Sequence, residues 1–267
     1  MTNTVPPLPN PERCLWCGRK SPDVAFDESH VLPECVGNQN QQVLPPGIVC
    51  KPCNSYFGSK VEPALLADPI FHFIAVFLQL VDLDDMKVFR ESMFDAEHPA
   101  VGGVNRHLDL KVDIKDQKIG INITSSLSGL LEKTYERRGL ALLSRAVHKI
   151  AFESLAWQIF VHGLVSPPDL YSARFDVVRK WSREGQPVQK VRPVLRRPHP
   201  AISGNWDVQL WSFGDDLGLQ VNLFADWYAV SLTSAPDEAL QDLRKWVGVA
   251  ADDMWVLGET LTALKKV

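Results

Sequence analysis

Residues 14–60, CLWCGRKSPDVAFDESHVLPECVGNQNQQVLPPGIVCKPCNSYFGSK, decide how the first part of this chain folds. Two Cys-x-x-Cys pairs, Cys14/Cys17 and Cys50/Cys53, are separated by 32 residues. Four thiolates from two such turns form a closed tetrahedral shell, which suits a structural zinc ion. Compact zinc ribbons place about 15–20 residues between their pairs, so this chain carries an insert between the two turns. The spacing therefore predicts a structural zinc site with an inserted element.

The composition predicts a soluble, cytoplasmic protein. Residues 1–11 lack the basic start and apolar run of a signal peptide and are interpreted as a flexible N-terminus. Without an export signal, close cysteine pairs favour metal thiolates over disulfides. The most apolar run, residues 70–81, falls short of the roughly 20 residues that cross a bilayer, so we expect a core helix there and no membrane segment.

The hydrophobic pattern predicts an α+β fold in two parts. Residues 12–68 form a small zinc-knuckle module, with the helix after Cys53 interrupted near Pro63. Residues 69–267 form a larger α+β domain. Its helices are expected near 70–81, 133–162, 169–184, 236–247 and 252–265. Antiparallel strands are expected near 106–124 and 206–232, and residues 186–200, rich in proline and arginine, are interpreted as a connector.

The charge distribution gives a weak indication of a nucleic-acid partner. The net charge of −4 argues against strong non-specific binding to nucleic acid. Residues 174–197, however, hold eight Lys or Arg against Asp176 and Glu184, a local net charge of +6. This stretch is either a surface that contacts phosphates or a solvated helix face followed by a connector.

The insert between the cysteine pairs carries the residues with catalytic potential. Glu28 precedes His30-Val31-Leu32-Pro33, and Asn54 directly follows the last cysteine. Together with the two cysteine pairs, this order resembles the HNH endonuclease family, in its zinc-containing branch. The resemblance covers about residues 12–62 and implies a ββα-metal core clamped by the two knuckles.

The resemblance also implies a mechanism for hydrolysing DNA phosphodiester bonds. In this family the histidine is the general base, which would be His30. One divalent cation, Mg²⁺ or Mn²⁺, is held by an acidic residue near the histidine, here Glu28, and by a residue on the helix, here Asn54. The residues agree with these roles, because an imidazole with a pKa near 6.5 suits a base at neutral pH.

Two positions depart from the family pattern. Ser29 stands where an acid often precedes the histidine, and Leu44-Pro45-Pro46 stands where the middle asparagine is expected. His30 could instead cap or pack the insert, and Asn54 could cap the following helix. The alternative function is thus a catalytically weak zinc-binding module that recognises nucleic acid or a protein partner.

Overall fold

The structure, a computed structural model, describes 15 separate stretches of the chain. They are residues 12–33, 42–66, 110–113, 118–121, 137–161, 163, 167–186, 191–198, 206–213, 216–223, 226–235, 238–239, 241–243, 255–257 and 264–266. Within these stretches, no helix is both long enough and apolar enough to cross a bilayer. The predicted N-terminal tail, residues 1–11, and the predicted helix at 70–81 lie outside them.

The N-terminal part has a ββα arrangement. Strand β1, Phe26–His30, pairs antiparallel with β2, Val43–Cys50, and helix α1, Lys51–Lys60, follows directly. Cys50 is the N-cap of α1, and Pro52 stands near its start, where a missing N–H costs nothing. A short helix α2, Pro63–Leu66, begins at the proline that was expected to interrupt the helix. The predicted break near Pro63 is therefore confirmed.

The next described elements are a hairpin and a long helix. Strands β3, Leu110–Asp113, and β4, Lys118–Ile121, pair antiparallel, as the alternation near 106–124 predicts. Helix α3, Arg137–Phe160, has 24 residues and would be about 36 Å long at 1.5 Å per residue. A 3₁₀ turn, Ala173–Phe175, then leads into α4, Asp176–Glu184, which ends at Gly185 with φ +68°. The left-handed conformation at Gly185 is the usual end of a helix.

The C-terminal part forms one antiparallel sheet of six strands in the order β10-β9-β5-β8-β7-β6. Three of them form a meander, as predicted from residues 206–232: β6, Trp206–Phe213; β7, Asp216–Leu223; and β8, Asp226–Ser231. The other three are β5, Val194–Pro198; β9, Trp255–Leu257; and β10, Leu264–Lys266. The α+β fold class is confirmed.

Two expectations for this region were wrong. Residues 186–200 were interpreted as a connector, yet β5 lies inside the sheet, between β8 and β9. Its proline, Pro198, stands at the strand end, where it does little harm to the ladder, and Arg196 is buried over the ring of Tyr228. Residues 252–265 were expected to be helical but contribute β9 and β10, because pairing with β5 overrides local helix propensity.

Among the described residues, one hydrophobic core cluster includes side chains from both parts of the chain. It includes side chains of the N-terminal module, such as Leu15 and Phe57, together with Val147 of α3 and Val221 and Val230 of the sheet. Helix α3 lies in this core, since even its polar residues His148, Lys149 and Glu153 are fully buried. The boundary predicted between residues 68 and 69 stays a prediction. Of the helix predicted at 236–247, residues 238–239 and 241–243 are described and helical.

Phe57 tests how far the module depends on this shared core. It is fully buried on α1, and its ring centroid lies 4.6 Å from that of Trp16 in the first knuckle. Because a Phe-to-Ala change leaves a cavity, we expect Phe57→Ala to lower the free energy of unfolding by about 3–5 kcal/mol. Ser59→Ala, at an exposed position of the same helix, should change it by less than about 0.5 kcal/mol. Chemical denaturation measures both; equal effects would contradict the packing described.

Candidate metal centre and active site

The first Cys-x-x-Cys pair lies in a tight turn. The amide of Gly18 donates to the carbonyl of Cys14 at 2.9 Å, and the amide of Cys14 donates to Arg19 at 2.7 Å. Gly18 has φ +70°, a conformation that favours glycine over any residue with a Cβ. The turn therefore places Cys14 and Cys17 on the same side of the knuckle, as the predicted motif requires.

The second pair joins a strand to a helix. Cys50 is the last residue of β2, and Cys53 lies in the first turn of α1. The backbone amide of Cys50 donates to the sulfur of Cys14 at 3.4 Å, which ties the two knuckles together. Because β2 continues directly into α1, the position of the second pair is fixed by the ββα arrangement itself.

The four sulfur atoms converge on one point. The Sγ atoms of Cys14, Cys17, Cys50 and Cys53 all lie within 4.8 Å of one another. The Sγ atoms of Cys17 and Cys50 are 3.7 Å apart, and the edge of a tetrahedron with Zn–S bonds of about 2.3 Å measures about 3.8 Å. The four cysteines are therefore positioned to bind a metal ion, and the set fits a structural zinc.

The protonation of these thiols agrees with a cation site. Hydrogen bonding from Cys53 lowers the pKa of Cys14 to about 4, whereas burial raises the pKa of Cys50 to about 11. The pKa of Cys53 is raised, first by its hydrogen bond to Cys14 and then by burial. Buried thiols this close together cannot all ionise unless a cation compensates their charge, so metal binding at this site releases protons.

Two arginines face the sulfur cluster. The guanidinium of Arg19 donates to Cys17 Sγ at 3.4 Å, which raises the pKa of Arg19. Burial acts to lower the pKa of Arg183, on α4, but a hydrogen bond to Cys53 and the charge of that thiolate give a net rise. Four thiolates around one Zn²⁺ carry a net charge of −2, which these guanidinium groups offset.

Strand β1 presents the predicted catalytic residues beside a break in the ladder. Asp27 pairs with Val49 and Ser29 with Leu44, so the register shifts at Glu28. The opposing segment contains Pro45 and Pro46, both exposed, and Gly47 with φ +101°. Ser29 is fully buried, whereas Glu28 is exposed and His30 is half-buried at the strand end. The irregular β2 segment occupies the place where a middle asparagine was expected.

Asn54 joins helix α1 to this part of the strand. It is the fourth residue of α1, and because Cys50 is the N-cap, the alternative role of Asn54 as a cap was wrong. Its Nδ2 donates to the carbonyl of Glu28 at 2.8 Å, and its Oδ1 lies 3.2 Å from Ser29 Oγ. The structure thus brings Asn54 against the strand segment that carries Glu28 and His30. Their catalytic roles stay predictions.

Ser29 connects the module to a buried ion pair on α3. Its Oγ lies 3.0 Å from Glu153 Oε2, and Oε1 of the same carboxylate accepts from Trp16 at 2.8 Å. Lys149 lies 3.0 Å from Glu153 and 2.8 Å from Glu62. Burial acts to lower the pKa of Lys149, but these two carboxylates give a net rise, so the ammonium is charged.

Glu153 is the charged partner of this lysine. Burial raises the pKa of its carboxyl group, whereas Lys149 and Trp16 act in the opposite direction. We assign it as ionised, because three donors surround its two oxygens: the Trp16 indole, the Ser29 hydroxyl and the Lys149 ammonium. Sequence reasoning missed Lys149 and Glu153, which are more than 110 positions away from the strand they contact. Two ionisable residues four positions apart in the middle of a largely apolar helix were the available signal.

These observations define the class of the N-terminal part: a ββα module with a four-cysteine metal site at its knuckles. Residues 14–69 match the family model described as HNH endonuclease, about a fifth of the chain. The chain therefore contains an HNH-family domain, and the predicted recognition is confirmed. This family implies a nucleic-acid substrate. Neither the comparison with curated proteins nor that with solved structures found a match.

Removal of one sulfur tests the metal site. Cys50→Ser should reduce the zinc content from about one ion per chain to a small fraction and lower the unfolding temperature, because a structural site needs all four ligands. Metal analysis and thermal unfolding of purified protein measure the two effects. Cys35→Ser is the matched control, since Cys35 lies outside both pairs and should keep the wild-type zinc content. Unchanged zinc in Cys50→Ser would contradict the assignment.

Proposed function

We propose that this protein is a metal-dependent HNH-type endonuclease that hydrolyses phosphodiester bonds in DNA. The observation that carries the proposal is the hydrogen bond of 2.8 Å from Asn54 to the backbone of Glu28, two residues before His30. It joins helix to strand at the position where this family assembles its reaction site. A cytoplasmic location is part of the same proposal and stays a prediction.

The divalent cation would be held by oxygen atoms of Glu28 and Asn54. The carboxylate of Glu28 is exposed, and hard cations such as Mg²⁺ and Mn²⁺ prefer oxygen ligands. The Ser29 hydroxyl has one proton and two acceptors, and Glu153, being closer and ionised, is the better acceptor. Asn54 Oδ1 then keeps a lone pair for the cation. When bound, the cation polarises the scissile phosphate and stabilises the leaving oxygen.

His30 would act as the general base. Its imidazole takes a proton from the water that attacks phosphorus, while the P–O bond to the leaving oxygen breaks. The backbone carbonyl of His30 accepts a hydrogen bond of 2.6 Å from Lys149, so its strand end is fixed in place. The residue as a whole is half-buried, and its Nε2 atom is buried.

A cleft beside the first knuckle would contact the DNA backbone. It has a volume of about 470 Å³, and its basic lining residues are Arg13, Arg179, Lys180 and Arg183. Arg179 is paired with Asp176 at 2.6 Å, and Arg183 faces Cys53. Arg13 and the exposed Lys180 are thus the cations best able to meet a phosphate. The Arg13 guanidinium lies over the ring of Tyr171, with its Cζ 4.7 Å from the ring centroid. Its Nε is buried, so a phosphate contact of Arg13 would use the terminal nitrogens.

Part of the basic stretch 174–197 belongs to this proposed DNA interface. Arg192, two residues before β5, and Arg196 of β5 are each about 1% exposed, so they cannot contact DNA. Burial lowers the pKa of Arg192 to about 10, and its guanidinium donates to the carbonyls of Ser231 and Ser234. The proposed interface therefore rests on α4 and the first knuckle, whereas the buried Arg192 and Arg196 stabilise the fold.

The alternative is a catalytically weak zinc module that binds nucleic acid or a protein partner. Its specific support is the exposed Pro45-Pro46 segment, which stands where the family places the asparagine that orients the histidine. Lys149 offers a different means of fixing His30, through its backbone carbonyl. A cleavage assay separates the two functions.

His30→Ala tests the proposed catalysis. Zinc-loaded protein with added Mg²⁺ or Mn²⁺ should nick supercoiled plasmid, and His30→Ala should be slower by about 10²- to 10⁴-fold, because the attacking water loses its base. Gln209→Ala, at an exposed position on β6, should match the wild type. If purified wild-type protein and His30→Ala behave alike, the nuclease proposal loses its basis.

Lys180→Ala tests the proposed DNA interface. Loss of one phosphate contact should weaken DNA binding uniformly across sequences and reduce the slope of log K against log salt by about 1. Lys60→Ala removes an exposed lysine that does not line the cleft and should leave the slope unchanged. Fluorescence anisotropy with a labelled duplex over a salt series measures the slope; equal slopes for Lys180→Ala and the wild type would place the interface elsewhere.

A further inference from the structure

We propose that Lys149 and Glu153 of helix α3 are positioning residues for the reaction site. This inference rests on the proposed nuclease function and extends it beyond residues 14–69, the part of the chain that matches the family model. The two side chains come from the middle of α3 and hold the strand end that carries His30. In this protein the reaction site would be completed by a helix that the HNH domain itself lacks.

Lys149 contacts two consecutive backbone carbonyls, those of His30 and Val31. Its Nζ donates to the carbonyl of His30 at 2.6 Å and lies 3.3 Å from the carbonyl of Val31. The side chain is fully buried, so water does not compete for these acceptors. Because the carbonyl belongs to His30 itself, the lysine acts on the base through the backbone.

Glu153 extends the same network to the first knuckle and to Asn54. Its two oxygens accept from Trp16, two residues after Cys14, and from Ser29, which lies 3.2 Å from Asn54 Oδ1. One carboxylate therefore links the zinc knuckle, the strand before His30 and, through Ser29, the helix residue proposed to hold the cation. Ser29 occupies the position of the expected acid because its hydroxyl connects the strand to this carboxylate.

The free-energy cost of burying Lys149 and Glu153 favours a role in positioning the site over a purely stabilising role. Burial of two charges costs much of what their attraction returns, and well-packed apolar residues usually stabilise such a position equally well. The hydrogen bonds of the Lys149 ammonium group are directional. Unlike apolar contacts, they therefore fix the positions of the oxygen atoms that accept them. The three ammonium protons face four acceptors, on His30, Val31, Glu62 and Glu153, within 3.3 Å. A misplacement of about 1 Å at a reacting group lowers the rate by about 100-fold.

The decisive variant removes both charges together in the full-length chain. Lys149→Met/Glu153→Leu keeps similar volumes and leaves no unpaired buried charge at these two positions, so it should fold and retain about one zinc per chain. Glu62, which is 14% exposed, remains partly solvated. We expect kcat for plasmid or duplex cleavage to fall about 100-fold while KM stays within about twofold. A zinc-loaded, folded double variant with wild-type kcat would overturn the proposal.

Arg145→Met is the matched control on the same helix. Arg145 also joins α3 to the module and to α4, through Tyr56 and the carbonyls of Ser182 and Arg183, but it does not contact β1. The Arg145→Met variant should therefore keep kcat near the wild-type value. An equal loss of kcat in Arg145→Met would mean that any loosening of α3 lowers the rate, which would also overturn the proposal.

A spectroscopic measurement separates this inference from the nuclease function. With ¹⁵N-labelled histidine, the ring signals of His30, assigned by comparison with His30→Ala, should shift or broaden in the double variant and stay unchanged in Arg145→Met. If the wild type does not cleave DNA, the proposed function fails, and these signals still decide whether the ion pair orients His30. Unchanged His30 signals in a folded double variant would overturn the positioning role.

Discussion

The convergence of four sulfur atoms is the constraint on which the rest of the N-terminal module depends. A strand end, a tight turn and a helix start must all reach the same point to within the length of a metal–sulfur bond. This requirement fixes where β2 ends and where α1 begins. It therefore fixes the helix face on which Asn54 meets the strand that carries Glu28 and His30.

The module does not close its core alone. Trp16 packs against Phe57 of α1 and against Phe152 of α3, with centroid distances of 4.6 and 5.3 Å. The same helix carries the buried ion pair beneath β1. A small domain buries too little apolar surface to be very stable, and here the deficit is met both by the metal site and by a helix from the larger part of the chain.

Short-range sequence patterns predicted the elements whose structure is decided by residues close together in the sequence. Cysteine spacing predicted the metal site, alternation predicted the β3–β4 hairpin and the meander, and the helical repeat predicted α3. The errors arose where distant pairing decides the structure: β5 has the composition of a connector, and β9 and β10 that of a helix. The contacts of Ser29 could not be inferred, because its partner Glu153 is 124 positions away in the sequence.

The length of chain between β1 and α3 has a consequence for the order of events during synthesis. The contact of Lys149 with His30 spans 119 residues, so the strand emerges from the ribosome long before the helix that holds it. At a translation rate of about 5–20 residues per second, the nascent domain exists without this helix for roughly 6–24 s. During that interval the zinc knuckles can already form, while the buried network around His30 cannot. Completion of the site is therefore tied to completion of the larger part of the chain.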